Sequence, residues 1–431
     1  MIDRSRLLSL YHDVRRTTEA LCQPLLPEDH VIQSMPDVSP PKWHLGHTTW
    51  FFEQLVLSVA VPAYKQFHPL YPSIFNSYYE SFGERVPREN RGTLSRPSVD
   101  EVRRYRAFVD EQMGRFLSDC ESAIYDMVAD RIELGLHHEQ QHQELLVMDI
   151  KHIFASNPLH PVYDLPRTLP SAAARRSSAP AAVKFLPVSG GIVQIGAPEE
   201  GFAYDNERPR HAVLLRDFCL MNRLVTCGEY LDFIKDGGYQ NPLLWLSDGW
   251  DIVRRAGWQA PLYWQSPEGE WQLLTLSGAQ ALNLDEPVAH VSFYEASAFA
   301  RWAGKRLPTE FEWERASAML RIPSSCGNFL EDGHLHPLPQ SKAPAIDSSG
   351  LSQMFGDLWE WTGSAYLPYP GYKQESGPMG EYNGKFMNNQ MVLRGGCCAT
   401  PRQHIRASYR NFFPPDKRWQ FSGIRLASDL V

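Results

Sequence analysis

Histidines and carboxylates are concentrated in residues 136–144, whose sequence is LHHEQQHQE. The stretch lies in a segment with helical periodicity, so His138 and His142, four residues apart, are expected on one helix face. Two imidazoles at this spacing can bind one transition metal. The pattern permits zinc or iron, and the identity of the metal decides which chemistry the protein performs.

The same letters contain an HExxH motif, which in zinc proteases supplies two ligands and a general base. Helix geometry puts Glu139 about 60° from His142, so spacing alone does not exclude a protease. The longer protease pattern has a third histidine at position 148, where this chain carries Met148. A zinc metalloprotease therefore stays open as an alternative at this point.

A second stretch, WHLGHTTWFFE at residues 43–53, offers a third ligand. His47 shares a helical face with aromatic residues, and from the inside of a bundle it could meet His138 and His142. Three neutral imidazoles on a ferrous ion leave room for a substrate thiolate and O₂ together, whereas on zinc they leave one water site. His44 is expected outside this ligand set.

These histidines belong to a first half that is predicted to be helical. Apolar residues recur at a spacing of about 3.6 in four segments, roughly 3–24, 43–62, 98–125 and 127–155. Ser98 and Glu101 form a capping box at the third start. Four such segments predict a helical bundle whose inner faces can build a site. The connection at 63–97 is not helical in character.

The second half of the chain differs from the first in composition and periodicity. Residues 156–184 are rich in Pro, Ala, Ser and Arg and predict a linker. After Phe185, short apolar runs and Gly-Gly turns predict an α+β domain, with one helix at 292–304 and another near Thr309. A chain of 431 residues favours two domains. The predicted organisation is a helical bundle at 1–158, a linker at 159–184 and an α+β domain at 185–431.

Bulk properties exclude several classes of protein. The net charge is −8 and no long basic run occurs, which argues against a nucleic-acid partner. No run approaches about 20 uninterrupted apolar residues, so no membrane span is expected. The polar N-terminus lacks a signal-peptide core, and the seven cysteines include no CxxC pair. A cytoplasmic protein with reduced thiols is the prediction.

Longer strings resemble known families. The stretch at 43–53, FNSYYESFGERVPRENRGTLSRPS at 75–98 and HHEQQHQELL at 137–146 resemble the DinB-like domain of the ergothioneine sulfoxide synthases. RLPTEFEWE at 306–314, with GDLWEWT and LRGG further on, resembles the formylglycine-generating-enzyme domain. The resemblance covers almost the whole chain. It implies an all-α four-helix bundle (DinB-like) followed by an α+β C-type-lectin-like domain.

The resemblance also implies an activity. Members of this family are non-haem Fe(II) enzymes that join the sulfur of cysteine or γ-glutamylcysteine to imidazole C2 of hercynine, which is Nα-trimethylhistidine. O₂ oxidises the sulfur to a sulfoxide. Forming the C–S bond releases two electrons and sulfoxidation two more, which together reduce O₂. Two alternatives remain: a sister enzyme that attacks histidine at C5, as in ovothiol synthesis, and a non-catalytic binding module.

Site residues follow from matching positions. His47, His138 and His142 match the family's iron ligands, while Gln141 and Asn411 match residues that bind hercynine. The trimethylammonium group of hercynine suits aromatic faces. Candidates for that contact are Phe412, Tyr366 and Tyr369.

Two further roles are assigned by chemistry. A tyrosine near the iron would donate a proton and suppress thiol dioxygenation; Tyr78 and Tyr79 are favoured, with Tyr366 as the rival. The carboxylate of the sulfur donor suits a guanidinium, and Arg88 with Arg91 match the family's donor-binding region.

The chain departs from the family pattern at one position. Relatives that take γ-glutamylcysteine are expected to carry Trp-Asp after the hercynine-binding Asn, whereas here Phe412 and Phe413 follow Asn411. Without that carboxylate a donor ammonium loses a partner. Free cysteine is therefore the favoured sulfur donor.

Overall fold

The structure is a computed structural model that describes residues 3–163, 182–320, 323–342, 349–375 and 377–430. The described residues form two compact units. Unit 1 falls within Met1–Leu165 and Ser376–Tyr382, and unit 2 falls within Pro166–Glu375 and Asn383–Val431. Much of the predicted linker lies outside the described residues, so the domain boundaries at 158/159 and 184/185 stay a prediction.

Unit 1 is built from helices. Those of the bundle are α1 (Arg4–Cys22), α2 (Pro41–Phe52), α3 (Ser58–Ala60), α4 (Tyr71–Ile74), α5 (Val99–Asp119) and α6 (Ser122–Ala155). α1 buries a stripe at three- and four-residue spacing, from Leu7 through Tyr11 and Val14 to Leu21. The capping box of Ser98 and Glu101 opens α5 as predicted. The break between α5 and α6 lies at Cys120 and Glu121, earlier than the periodicity predicted.

α2 is buried along its whole length. Pro41 occupies its first turn, where a missing N–H costs nothing. The chain continues through a π-helical turn, Glu53–Leu57, into α3. Gly46 permits a close approach, because a Cβ there would lie 2.1 Å from the ring of Phe75. This position of Phe75 brings its backbone next to the histidines of α2.

Unit 1 also contains a 3₁₀ turn at Asp29–Val31 and two further segments. The connection between α3 and α5 contains α4 and two 3₁₀ turns, Glu80–Phe82 and Arg88–Thr93. Another 3₁₀ turn, Gly377–Glu381, comes from far along the chain and contacts the turn at Glu80–Phe82. Among the described helices, none is long and apolar enough to cross a membrane.

Unit 2 combines short helices with small sheets. Its helices are α7 (Cys227–Lys235), α8 (Ser247–Ala256), α9 (Phe293–Trp302) and α10 (Glu310–Ser317). Its strands are β1 (Phe185–Val188), β2 (Gly191–Ile195), β3 (His211–Leu215), β4 (Phe218–Met221), β5 (Trp264–Gln265), β6 (Gln272–Thr275), β7 (Gly278–Ala281), β8 (Trp359–Ala365), β9 (Met391–Arg394), β10 (Asn411–Phe413), β11 (Ser422–Gly423) and β12 (Ala427–Asp429).

The strands of unit 2 pair in four sheets, with the orders β1-β4-β12, β10-β9-β8-β11, β2-β3 and β5-β6-β7. All pairs are antiparallel except β11 with β8. Ser292 and Thr309 cap α9 and α10 through capping boxes, close to the predicted starts. The prediction of a helical first part followed by an α+β part is confirmed.

Candidate metal centre

Three buried histidines converge in unit 1. One nitrogen from each of His47, His138 and His142 lies within 4.8 Å of the others. The Nε2 atoms of His47 and His138 are 3.1 Å apart. α2 supplies the first histidine and α6 the other two, which lie one turn apart on one face. The structure thus brings together the three histidines that the sequence selected; their role as ligands stays a prediction.

His47 is held on both faces and at one edge. Its ring stacks between Trp43 and Trp50, with centroids 4.6 and 5.5 Å away. Its Nδ1 lies 2.6 Å from the carbonyl oxygen of Phe75. A carbonyl only accepts, so Nδ1 carries the proton and the lone pair of the neutral ring is on Nε2. That lone pair points to the neighbouring histidines.

Burial keeps the three imidazoles neutral. The pKa of His138 is lowered to about 3: burial is the main cause, the charge of Glu139 opposes it, and the nearby His44 ring adds a smaller lowering. Burial and then His138 lower the pKa values of His47 and His142 well below the ordinary range. Neutral imidazole is the form that binds transition metals.

The donor set fits a metal ion. Two nitrogens that bind one ion at about 2.1 Å and about 90° lie about 3 Å apart, which matches the 3.1 Å between His47 and His138. Without a shared proton or cation, facing lone pairs at this distance repel. Nδ1 of His138 is buried and has no hydrogen-bond partner among the described residues. Imidazole-only ligation suits iron, copper or zinc.

Glu139 cannot serve as the base of a zinc protease in this arrangement. Its carboxylate accepts hydrogen bonds from Arg15 at 2.8 Å, Arg106 at 2.5 Å and Thr18 at 2.7 Å. Burial alone would raise the pKa of Glu139, but Arg106 and Arg15 outweigh it and hold the pKa at about 2. A general base must be able to take a proton near neutral pH. Glu139 instead links α6 to α1 and α5 through these hydrogen bonds.

Gln141 and Tyr382 meet beside the histidines. Gln141 follows His138 by three residues on α6, and its amide oxygen accepts a hydrogen bond from the hydroxyl of Tyr382. The ring of Tyr382 is 5.8 Å from that of His138. Tyr382 is buried. Sequence reasoning missed Tyr382, since nothing in its local pattern links it to a helix 241 residues away.

Tyr78 and Tyr79 lie next to this pair. Their rings stack at 4.6 Å, and the ring of Tyr78 is 6.4 Å from Tyr382. Tyr79 is fully buried against Trp50. Tyr78 therefore contacts Tyr382, which in turn contacts His138, and Tyr79 contacts Trp50, which stacks on His47.

Glu381 anchors the segment that carries Tyr382. Its carboxylate accepts backbone N–H bonds from Glu80 at 2.8 Å and from Ser81 at 3.1 Å. Carboxylates bind well to the exposed N–H groups that open a helical turn. This contact joins the turn at Gly377–Glu381 to the connection that contains the tandem tyrosines.

Arg91 and Arg88 differ in their surroundings. Arg91 is buried, and its guanidinium lies 3.3 Å from the ring centroid of Trp43. It donates to the hydroxyls of Ser39 at 2.9 Å and Ser77 at 3.1 Å. Burial, and next the charge of Arg88, lower the pKa of Arg91. Arg88 itself is exposed.

The remaining candidates belong to unit 2. Tyr366 stacks on Phe412 with centroids 4.0 Å apart, and its hydroxyl accepts from Asn206 at 2.8 Å. The hydroxyl of Tyr369 is engaged by Glu310 and Arg394 inside unit 2. Asn411, Phe412 and Phe413 form the edge strand β10. Their proposed contacts with substrate stay predictions.

Comparisons with known proteins agree with this architecture. Residues 10–146 match the family model of the DinB superfamily. Residues 170–321 and 328–430 match the model of the sulfatase-modifying factor enzyme 1-like domain. A formylglycine-generating enzyme from Streptomyces coelicolor is 31% identical over 300 residues, which cover 60% of this chain and 93% of that protein. Fold and site define a two-domain enzyme with a DinB-like bundle and a formylglycine-generating-enzyme-like domain.

Two relatives match both domains at once. A hercynine oxygenase of Mycolicibacterium smegmatis is 33% identical over 417 residues, covering 92% of this chain and 93% of the relative. That of Mycobacterium tuberculosis is 33% identical over 418 residues, covering 92% of each chain. The chain belongs to the hercynine oxygenase family and is an oxygenase-type enzyme. The resemblance found in the sequence is confirmed.

Proposed function

We propose that this protein is a non-haem Fe(II) sulfoxide synthase that joins the sulfur of a thiol to imidazole C2 of hercynine. The observation that carries the proposal is the cluster of three neutral imidazoles with a tyrosine hydroxyl and a glutamine amide beside it. In the balanced reaction the S–H and C2–H bonds break, and the C–S and S–O bonds form. O₂ takes up four electrons and ends as the sulfoxide oxygen and water.

His47, His138 and His142 are the proposed ligands. A ferrous ion bound by them would supply open coordination positions for the thiolate and the electrons that activate O₂. The proposal of Fe(II) over zinc is supported by the family of the chain, since the three-histidine set suits either metal. The sequestered Glu139 carboxylate disfavours hydrolysis as the alternative.

Gln141 is the proposed residue that orients hercynine. A primary amide can donate to the imidazole nitrogen of the substrate, and the Tyr382 hydroxyl fixes the amide by donating to its oxygen. The amide therefore presents its NH₂ group, not its oxygen, to the substrate. Asn411 and the aromatic residues Phe412, Phe413, Tyr366 and Tyr369 of unit 2 remain the proposed partners of the amino-acid part.

Tyr382 is the proposed proton donor. Tyr78 packs next to Tyr382, and Tyr79 stacks on Tyr78. The hydroxyl of Tyr382 donates to Gln141 on α6, and the ring of Tyr382 is 5.8 Å from that of His138. A proton delivered while O₂ is reduced diverts the reaction from dioxygenation of the thiol. Tyr78 and Tyr79, which the sequence favoured, stay the alternative donors.

Arg91 is the proposed site for the carboxylate of the thiol substrate. Its described side-chain partners are two neutral hydroxyls and the face of Trp43, so its charge is available to a substrate anion. Arg88, which is exposed, would add a second positive charge close to Arg91. Free cysteine stays the proposed donor, since Phe413 replaces the carboxylate that a longer donor would use.

The decisive experiment is anaerobic reconstitution with Fe(II), followed by O₂ consumption with hercynine and either cysteine or γ-glutamylcysteine. We expect O₂ uptake that needs hercynine and thiol together, and NMR of the product should place sulfur on C2. A product substituted at C5 of histidine would instead assign the ovothiol type of reaction. Peptide hydrolysis by the zinc form, or no metal binding, would reject the proposal.

A further inference from the structure

One ligand histidine is supported by a chain of two buried side chains. Nδ1 of His142 lies 2.8 Å from Nδ1 of His44, and Nε2 of His44 lies 3.0 Å from Oδ2 of Asp149. His142, His44 and Asp149 are 9%, 2% and 3% exposed. Asp149 follows His142 by two turns on α6, while His44 lies one turn before His47 on α2. These hydrogen bonds therefore link α2 and α6, the two helices that carry the three histidines.

Proton positions along this chain follow from donor and acceptor rules. A carboxylate only accepts, so His44 donates from Nε2, and in the tautomer with its one ring proton on Nε2 it accepts at Nδ1. His142 must then donate from its own Nδ1. Its lone pair is left on Nε2, and its ring centroid lies 4.8 Å from that of His47 and 4.6 Å from that of His138. The orientation of Asp149 is fixed as well, because the same Oδ2 accepts the backbone N–H of Ser39 at 2.9 Å.

We propose that His44 and Asp149 are positioning residues that hold His142 in the tautomer and orientation required of a metal ligand. This inference rests on the proposed metal site and deepens it. A metal-bound histidine commonly donates its second N–H to a partner that fixes the ring. Here the partner of His142 is the imidazole of His44, and the carboxylate of Asp149 binds the other nitrogen of that imidazole.

The interposed imidazole has a chemical consequence. A carboxylate bonded directly to His142 would place a negative charge against the ligand, whereas the imidazole of His44 keeps the charge of Asp149 one ring away. His47 has a comparable partner, the carbonyl of Phe75. Both supports leave the ligand set uncharged, which preserves the affinity of the metal for an incoming thiolate. His44 thus works as a spacer between the set and a buried negative charge.

The first readout is metal affinity, measured with Co²⁺ in place of iron by optical titration of the metal-free protein. His44→Phe and Asp149→Ala should bind Co²⁺ about ten- to hundredfold more weakly than the wild type. His44→Gln, whose amide oxygen can still accept from His142, should recover part of the loss. His152→Phe is the matched control, because His152 lies on the same helix and pairs with Ser34; it should bind like the wild type.

The second readout needs neither metal nor a variant. In metal-free wild type labelled with ¹⁵N-histidine, long-range NMR correlations should show His142 with a proton on Nδ1 and none on Nε2. The opposite tautomer would overturn the proposal, whether or not the variants fold. Wild-type Co²⁺ affinity in folded His44→Phe and Asp149→Ala would do the same while leaving the function intact. A wild type that binds neither Co²⁺ nor Fe(II) would reject both proposals.

Discussion

Nδ1 of His47 donates to the backbone carbonyl of Phe75 across 2.6 Å, and the ring of the same Phe75 packs onto the bare Cα of Gly46. Phe75 therefore fixes the tautomer of His47, a proposed ligand. Phe75 can take this position because Gly46, the residue before His47, has no side chain. A glycine in the middle of a buried helix is otherwise unfavourable by about 0.5–1 kcal/mol.

Gly46→Ala should weaken metal binding and lower stability. The new Cβ would lie 2.1 Å from the Phe75 ring, which must move and take its carbonyl with it. We expect a loss of about 1–3 kcal/mol in the free energy of unfolding and a weaker Co²⁺ affinity. Gly114→Ala in α5 is the control, because a Cβ there would meet nothing within 4 Å beyond its own helix; it should stabilise slightly. Equal effects of both changes on metal affinity would contradict this account.

Tyr382→Phe should change the product more than the rate of thiol consumption. The ring stays beside His138, but the hydroxyl that contacts Gln141 is lost. We expect the share of sulfinic acid to rise at least tenfold relative to sulfoxide, since general acid catalysis contributes about 10²–10⁴. The ratio is measured by mass spectrometry of the products. If Tyr78→Phe or Tyr79→Phe shifts the ratio and Tyr382→Phe does not, the proton donor is one of the tandem pair.

Glu381→Ala should reproduce part of the Tyr382→Phe effect. Without the carboxylate, the N–H groups of Glu80 and Ser81 lose their acceptor and the turn that carries Tyr382 is released. The product ratio should shift in the same direction, and Glu381→Gln, which keeps an acceptor oxygen, should shift it less. Glu375→Ala, at an exposed position nearby in sequence, is the control. An unchanged ratio in Glu381→Ala would show that Tyr382 is held by other contacts.

Arg91→Lys should raise the KM for the thiol substrate and leave that for hercynine unchanged. Lysine cannot keep the planar contact with Trp43 or the two-point bond to a carboxylate. A charge-assisted bond is worth about 1.5–3 kcal/mol, which corresponds to about 10- to 100-fold in KM. Arg88→Lys, at an exposed position, should have a smaller effect. Steady-state kinetics with each substrate varied in turn would decide between these outcomes.

His30 should make the metal-free protein less stable in acid. Its ring is buried and neither nitrogen has a hydrogen-bond partner among the described residues. Burial lowers its pKa from the ordinary 6.5 to about 4. The unfolded state therefore binds the proton more readily, and stability falls as the pH drops from about 6.5 to about 4, by at most about 3 kcal/mol.

His30→Leu should remove this part of the pH dependence. Urea unfolding at pH 7 and pH 5, with the exposed His12→Leu as control, measures the difference. Parallel pH profiles for His30→Leu and the wild type would contradict the assignment.

The helices and the histidine trio could be predicted because their signals are local. Periodicity selected the inward faces of α2 and α6, and the family strings supplied the second domain. The support of His142 by His44 and Asp149 could not be predicted, since it depends on the rotation of α2 against α6. Tyr382 was missed for a related reason: it lies in a short irregular turn whose neighbours are set by packing and not by sequence pattern.

The contribution of Gly377–Glu381 and Tyr382 to unit 1 has a consequence for biosynthesis. A ribosome that adds about 5–20 residues per second needs about 10–40 seconds to pass from residue 163 to residue 382. During that interval the nascent bundle already possesses its three imidazoles but not the phenol proposed to steer oxygen chemistry. If the growing chain bound its metal in this interval, the centre would oxidise thiols without forming the sulfoxide product. Binding of the metal after release from the ribosome avoids this side reaction.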